Sequence, residues 1–425
     1  MTATHERTAD AHASIEAVWR IESARLIAGL TRMVHDVGLA EELAQDALVA
    51  ALEQWPESGV PRNPGAWLMA ISKRRAIDRF RRQERLERKQ VEIAHDLEIE
   101  QNAQEFDLTL DDHIEDDLLR LMFVSCHPLL STEARVALTL KLLGGLKTGE
   151  IARAFLVSEA TVAQRIVRAK KTLAEAKVPF EVPERAELPQ RLGSVLEAIY
   201  LVFNEGYSAT AGDDWMRPEL CAEALRIGRI LAGLMPGEPE VHGMVALMEI
   251  QASRTAARTS STGEPVLLLE QNRGKWDRMQ IGRGLAALER AEAAGPRGKY
   301  TLQAALAACH ARARTPEETD WHRIASLYEE LAELEPSPII ELNRAVALSM
   351  AYGPAAGLAV VDQLVDISSL KGYHLLPSVR GDLLAKLGRA PEARAEFERA
   401  ADLTRNERER TLLLDRARAL GDAGE

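Results

Sequence analysis

The stretch KTGEIARAFLVSEATVAQRIVRAKKTLAEAK, residues 147–177, decides the reading of this chain. Thr148 opens a short helical run, TGEIARAF, and Leu156 and Val157 follow as a turn. Ser158 stands where a second, longer helix needs an N-cap, because its hydroxyl can accept a bond from an otherwise unpaired backbone N–H. Ile151, Ala152, Val157, Val162, Ile166 and Leu173 supply a core at helical spacing. A short helix, a tight turn and an amphipathic second helix make a helix-turn-helix. One cue is missing, since this turn usually holds Gly where the chain has Leu156. Thr161, Gln164, Arg165, Arg168 and Lys171 remain outside and, with Ser158, are side chains that bond base edges and phosphates.

Charge extends the argument upstream. Residues 147–177 hold seven Lys or Arg against three acids, and residues 62–89 hold ten against three. Between them, residues 91–117 hold eleven acids and no Lys or Arg. Two basic patches inside helical motifs carry the electrostatic footprint of phosphate binding. The first lies on a helix from Pro64 to about Lys89, with Asn63 as its cap and Pro64 at its first position. Trp67, Ala70, Ile71 and Ile77 of that helix can face a core, and Asp78 is placed to pair with Arg74 or Arg82. The acidic stretch is poor in apolar residues and reads as a linker of limited order. Further upstream, Ile15, Val18, Trp19, Ile21 and Leu26 begin one helix. Leu43, Ala47, Leu48 and Leu52 form the buried stripe of the next, with Glu41, Glu42, Gln45, Asp46 and Glu53 on its polar side.

Downstream, Pro179, Pro183 and Pro189 mark a boundary, and helical pattern runs to the C-terminal end. Near that end Gly381, Leu384, Gly388, Ala393, Phe397 and Ala400 follow the tetratricopeptide order of small, large and aromatic positions. Tyr328 and Pro336 fit another unit, and Gly353 and Gly388 lie 35 residues apart, so the repeat is present but degenerate. Asn204 and Glu205, in FNEGY, read as a polar turn within an apolar segment.

Composition agrees. The 425 residues suit about three domains. Hydrophobic residues make 46%, enough for real cores, and few aromatics among many Ala, Leu, Glu and Arg argue against an all-β fold. Cys126, Cys221 and Cys309 are far apart with no CxxC pair, which supports free thiols in a cytoplasmic protein. Cys126–His127 and Cys309–His310 are adjacent pairs without further ligands at zinc spacing, so no metal or other cofactor is expected. No apolar run spans a bilayer, and MTATHERTADAHAS lacks a secretory core. No nucleophile–base set, P-loop or dinucleotide fingerprint supports an enzyme. Trp55 and Trp67 read as core residues.

These residues carry a resemblance. PGAWLMAISKRRAIDRFRR resembles the promoter-melting helix of bacterial sigma factors of the extracytoplasmic-function (ECF) group. AEELAQDALVAALEQWP resembles their core-polymerase-binding helix, and GEIARAFLVSEATVAQRIVRAKKTL their C-terminal helix-turn-helix. YLVFNEGYSAT, LMPGEPEV, LNRAVAL and KLGRAPEA resemble the tetratricopeptide-like extension of one subgroup. The resemblance implies an all-α chain in five parts. Residues 14–90 form a region 2-like domain, 91–117 an acidic linker and 118–178 a region 4-like helix-turn-helix domain. Residues 179–190 form a Pro-rich junction and 191–425 a helical extension with repeats toward its end.

It also implies roles. Glu41, Glu42, Gln45 and Asp46 would meet the clamp helices of the largest polymerase subunit. The loop Glu57 to Asn63 would hold an extruded base of the −10 element, with Arg62, Asn63, Arg74, Arg75, Arg79, Arg81 and Arg82 on the DNA nearby. Ser158, Thr161, Gln164, Arg165, Arg168 and Lys171 would read the −35 element. The acidic linker would either mimic nucleic acid in the polymerase channel or act as a solvated spacer. The extension would replace a separate anti-sigma factor, packing on the sigma domains and offering its repeats to a protein or peptide. Two other readings compete. One is a conventional helix-turn-helix regulator with a sensing repeat domain; the other is a repeat scaffold with incidental basic patches. Neither requires a core-binding helix beside a melting helix.

Overall fold

A computed structural model of the chain describes residues 2–88, 114–207, 216–260, 266–404 and 407–420. Among these residues the elements are helical, without a strand, and they divide into two compact units, Met1–Pro236 and Gly237–Glu425.

The first unit opens with α1 (Thr2–Val34), α2 (Val37–Ser58) and α3 (Pro64–Arg88), each packed on the other two. Asp36 caps α2 by accepting from Leu39 N at 2.8 Å, and Asn63 caps α3 by accepting from Ala66 N at 3.1 Å. Ala40, Ala44, Ala47 and Ala51 of α2 are fully buried, and these small side chains allow close approach of its neighbours. Trp55 and Trp67 meet edge to face, with ring centroids 5.2 Å apart. Some expected core positions differ. Ile21 and Leu52 are exposed, at 63% and 39%, and Ala70 is exposed on α3. The face of α3 that enters the core runs through Leu68, Ser72 and Ala76, fixed by a bond from Ser72 Oγ to the Leu43 carbonyl. Ile71 and Ile77 are therefore left half-buried.

The next four helices are α4 (Ile114–Ser125), α5 (Thr132–Leu138), α6 (Thr148–Ala154) and α7 (Glu159–Glu175). Ser131 caps α5 as a bond acceptor for Ala134 N, and α5 continues into one π-type turn, Thr139–Leu143. Leu121, Met122 and Phe123 of α4 and Leu138, Leu140 and Leu142 beyond it are almost completely buried. Helix α4 begins inside the stretch read as an acidic linker; the rest of that stretch, residues 91–113, lies outside the described residues. Asp117 is not linker-like. It is 2% exposed and ion-paired to Arg120 at 2.8 Å and to Arg32 of α1 at 3.2 Å.

The unit closes with α8 (Leu188–Tyr207) and α9 (Pro218–Leu234), so α8 starts inside the Pro-rich junction. The two pack on each other, α8 also on α4 and α5, and α9 on α4. Leu192, Val195, Leu196, Ile199, Val202 and Phe203 are buried, more faces of α8 than one partner could cover. The first two helices after the Pro-rich junction thus belong to the same compact unit as the helix-turn-helix. FNEGY is not a turn but the last turns of α8, with Glu205 buried in an ion pair with Arg217.

The second unit centres on α10 (Pro239–Ala252), buried on nearly every side and packed on α11 (Arg278–Ala294) and α12 (Lys299–Arg312). Glu240 caps α12, its carboxylate accepting from Gly298 N, Tyr300 N and Thr301 N at 2.8–3.1 Å. Arg273, 4% exposed, donates to the carbonyls of His310 and Ala313 and lies 5.2 Å from the Trp276 ring centroid. Then α13 (Trp321–Leu334), α14 (Pro338–Tyr352), α15 (Pro354–Leu364), α16 (Leu375–Lys386), α17 (Ala390–Leu403) and α18 (Glu407–Ala419) follow, each packed on the next. The repeat signature is seated in α16 and α17, where Leu384, Ala393, Phe397 and Ala400 are buried. A Cβ at Gly381 would stand 3.1 Å from the Phe397 ring, so a small residue is needed there.

Candidate nucleic-acid interface

The interface is built first from α2 and α3. Glu42, Gln45 and Asp46 lie on the exposed side of α2, and Val49, Leu52 and Glu53 continue the same stripe. The stripe is therefore partly apolar, which the expected buried role of Leu52 concealed. Asp46 pairs with Arg75 at 3.2 Å, and Glu42 with Arg79 at 2.9 Å. All four side chains are substantially exposed, so each pair contributes about 0–1 kcal/mol and opens readily. Arg74, Arg81 and Arg82 are exposed along α3, as are Arg62 and Asn63 in the preceding loop. Asp78 is exposed and makes no ion pair among the described residues.

Glu41 behaves differently from its neighbours. It is 3% exposed, accepts from Gln45 Nε2 at 2.6 Å, and pairs with Lys170 and, at 3.5 Å, with Lys141. Lys170 lies on α7 and Lys141 in the π-type turn, so this carboxylate joins the α1–α3 bundle to the helix-turn-helix. Lys147–Glu16 and Arg20–Glu150 span the same two parts, and Arg32–Asp117 ties α1 to α4. Sequence spacing placed Glu41 on the polar side of α2 but carried no sign of lysines a hundred or more residues away.

The helix-turn-helix is as expected in its local chemistry. Ser158 Oγ accepts from Thr161 N at 3.1 Å and lies 2.7 Å from the Thr161 hydroxyl, so both residues take part in the cap of α7. Gln164, Arg168 and Lys171 are exposed and Arg165 is half-buried, forming one outward face. Val162, Ile166, Ala169 and Leu173 line the opposite face and are buried. Leu156 holds the turn with φ +49, the left-handed conformation that favours Gly.

Among the described residues there is no group of three or more potential metal ligands. Cys126 is buried beside Thr139, 3.2 Å from its hydroxyl, and burial pushes its thiol up to about 11, so it is an inert core residue. No described helix is long and apolar enough to cross a membrane.

An α-helical bundle bearing an arginine-rich helix, joined to a helix-turn-helix, is the architecture of a sigma factor. Comparison with known proteins agrees. Residues 21–86 match sigma-70 region 2, residues 120–173 match sigma-70 region 4, and residues 191–292 match a family of unknown function, DUF6596. The ECF RNA polymerase sigma factor SigK of Mycobacterium sp. (strain KMS) is 30% identical over 169 residues, covering 38% of this chain and 80% of that protein. SigK of strain JLS matches to the same extent. An uncharacterized protein of Rhizobium meliloti (strain 1021) is 45% identical over 378 residues, 89% of each chain. The chain belongs to the ECF RNA polymerase sigma factors, the DNA-binding initiation factors that act with core RNA polymerase at promoters.

Proposed function

We propose that this sigma factor carries its own regulator and divides its tasks among the surfaces described above. The exposed stripe Glu42, Gln45, Asp46, Val49 and Leu52 docks core polymerase, and Glu41 closes the bundle onto the helix-turn-helix until docking. Arg62, Asn63, Arg74, Arg75, Arg79, Arg81 and Arg82 hold the −10 region. Gln164, Arg165, Arg168 and Lys171 read the −35 region, with Ser158 and Thr161 fixing the start of their helix. The acidic segment 91–113 occupies the positive polymerase channel. The second unit, a helical-repeat array, takes a protein or peptide that reports the inducing signal.

One observation carries the regulatory part of this reading: α8 and α9 pack on α4 and α5 within the same unit as the helix-turn-helix. The first two helices of the extension are therefore joined to the DNA-reading part, and the second unit follows them in the chain. The test is run-off transcription with purified core polymerase from the promoter of the chain's own gene. Full-length protein, a chain ending at Pro236, and Arg165→Ala with Arg168→Ala are compared. The cut after Pro236 keeps α8 and α9, whereas a cut after Lys177 uncovers the apolar surface of α4 and confuses regulation with unfolding. Transcription that differs between full length and the shorter chain supports regulation by the second unit. Equal transcription from both removes that part of the reading. Duplex binding without polymerase, and no transcript from any chain, favours a conventional regulator.

A further inference from the structure

The end of α6 sets the turn that aims α7, and its backbone can be accounted for group by group. The Ile151 carbonyl accepts from Phe155 N at 3.1 Å. The Ala152 carbonyl accepts from Val157 N at 3.1 Å, and the Arg153 carbonyl from Leu156 N at 3.4 Å. This is the Schellman closure of a helix, which leaves the last carbonyl without a local donor. Here that last carbonyl is Ala154 O, and it accepts from Arg217 Nη1 at 2.6 Å. Arg217 lies 63 residues downstream, at the start of α9, in the segment beyond the region 4 match.

Arg217 is itself held in place. Its guanidinium pairs with the buried carboxylate of Glu205, and both side chains are about one-tenth exposed. Its backbone N–H donates to the Gly206 carbonyl at 2.7 Å. A Cβ on Gly206 would stand 2.7 Å from Cys221 N and 2.8 Å from the Arg217 carbonyl, so α8 and α9 meet here only because residue 206 is glycine. A buried arginine fixed at both ends is a rigid donor. The turn it supports is strained, since Leu156 adopts φ +49 where glycine is usual. Two other arginines of the extension also cap helix ends: Arg226 donates to Leu143 O at 2.6 Å and Arg191 to Phe123 O at 3.1 Å. Of these three arginines, only Arg217 bonds the helix that enters the strained turn.

The structure assigns Arg217, backed by Glu205, as a positioning residue for −35 recognition: it fixes the carbonyl of Ala154 and so the angle at which α7 leaves the turn. This rests on the promoter-reading role proposed for α7 and adds a residue outside the helix-turn-helix itself. It also gives α8 and α9 a task in reading DNA.

The test uses holoenzyme made with the full-length chain. Fluorescence anisotropy compares a duplex covering the promoter of its own gene with a duplex of shuffled sequence. Arg217→Ala is expected to lower the preference for the promoter duplex about tenfold, the size of one charge-assisted hydrogen bond. Adding Leu156→Gly, which relaxes the turn, is expected to restore most of that preference. Arg226→Ala, a helix-end contact away from the turn, is the control and leaves the preference unchanged. A wild-type holoenzyme with no preference overturns the promoter-reading role and this inference with it. A wild-type preference that Arg217→Ala keeps in full, or that Arg226→Ala loses equally, overturns this inference alone. If circular dichroism shows that Arg217→Ala does not fold, Arg217→Lys carries the test. It is expected to reduce the preference and to speed amide exchange at Leu156 and Val157, and no change in either overturns the assignment.

Discussion

Glu41→Gln removes the charge that joins the α1–α3 bundle to α7 while keeping the size of the side chain. At 3.5 Å the attraction to Lys141 alone is about 5 kcal/mol at an effective dielectric of about 20, and Lys170 adds to it. Desolvation of a carboxylate that is 3% exposed offsets much of this. Removing one partner of a buried pair costs about 3–5 kcal/mol, because the other charge is stranded. The lysine side chains are 17% and 21% exposed and can turn toward water, so the cost falls at or just below the lower end. We expect a loss of about 2–3 kcal/mol in the opening free energy of this contact, roughly 30- to 150-fold in its equilibrium. Native-state hydrogen exchange at the α2 amides of the full-length chain reads that opening directly and does not require two-state unfolding. Lys170→Met completes a double-mutant cycle. Unchanged α2 protection in Glu41→Gln, or a coupling energy below about 0.5 kcal/mol, would refute the reasoning.

Gly206→Ala forces a methyl against backbone atoms of α9 rather than a flexible side chain, and is expected to lower stability by about 2–3 kcal/mol in urea titration. His310 is driven down to about 4 by burial, with Arg254 and Arg273 adding to the effect. Its folded form is thus held neutral, and the second unit should lose about 2 kcal/mol as pH falls from about 6.5 to 4. Thermal melts of His310→Gln should show a flatter pH dependence in that window. Arg168→Ala and Lys171→Ala should each weaken holoenzyme binding to duplex DNA and reduce its salt slope by about one, if they meet phosphates as proposed; an unchanged slope places them off the DNA.

Local chemistry was legible from the residues alone. Asn63, with Pro64 after it, and Ser158 cap the helices expected of them, because a cap joins groups three residues apart. The helix-turn-helix core was legible for the same reason, since one helix face is written in one short stretch. Burial of Glu41 and Glu205 was not legible, because it depends on Lys141, Lys170 and Arg217 brought in by packing. Exposure of Ile21 and Leu52 was hidden similarly: helical spacing gives a stripe, but the partner helix decides which edge of the stripe it covers. The Pro-rich junction marked a real break in pattern, yet the compact unit runs on to Pro236, since α4 and α5 offer apolar surface that α8 covers.

The ion pairs Arg75–Asp46 and Arg79–Glu42 make two neighbouring faces dependent on each other. A basic partner that claims the acids of α2 frees two guanidiniums on α3, and a polyanion that claims those guanidiniums frees the two carboxylates. Linkage makes the effect reciprocal: each ligand strengthens the other by the same factor, without any movement of the helices. For pairs this exposed the factor is at most about fivefold for each. Two exposed salt bridges thus provide a modest built-in cooperativity, one that added salt should weaken in both directions at once.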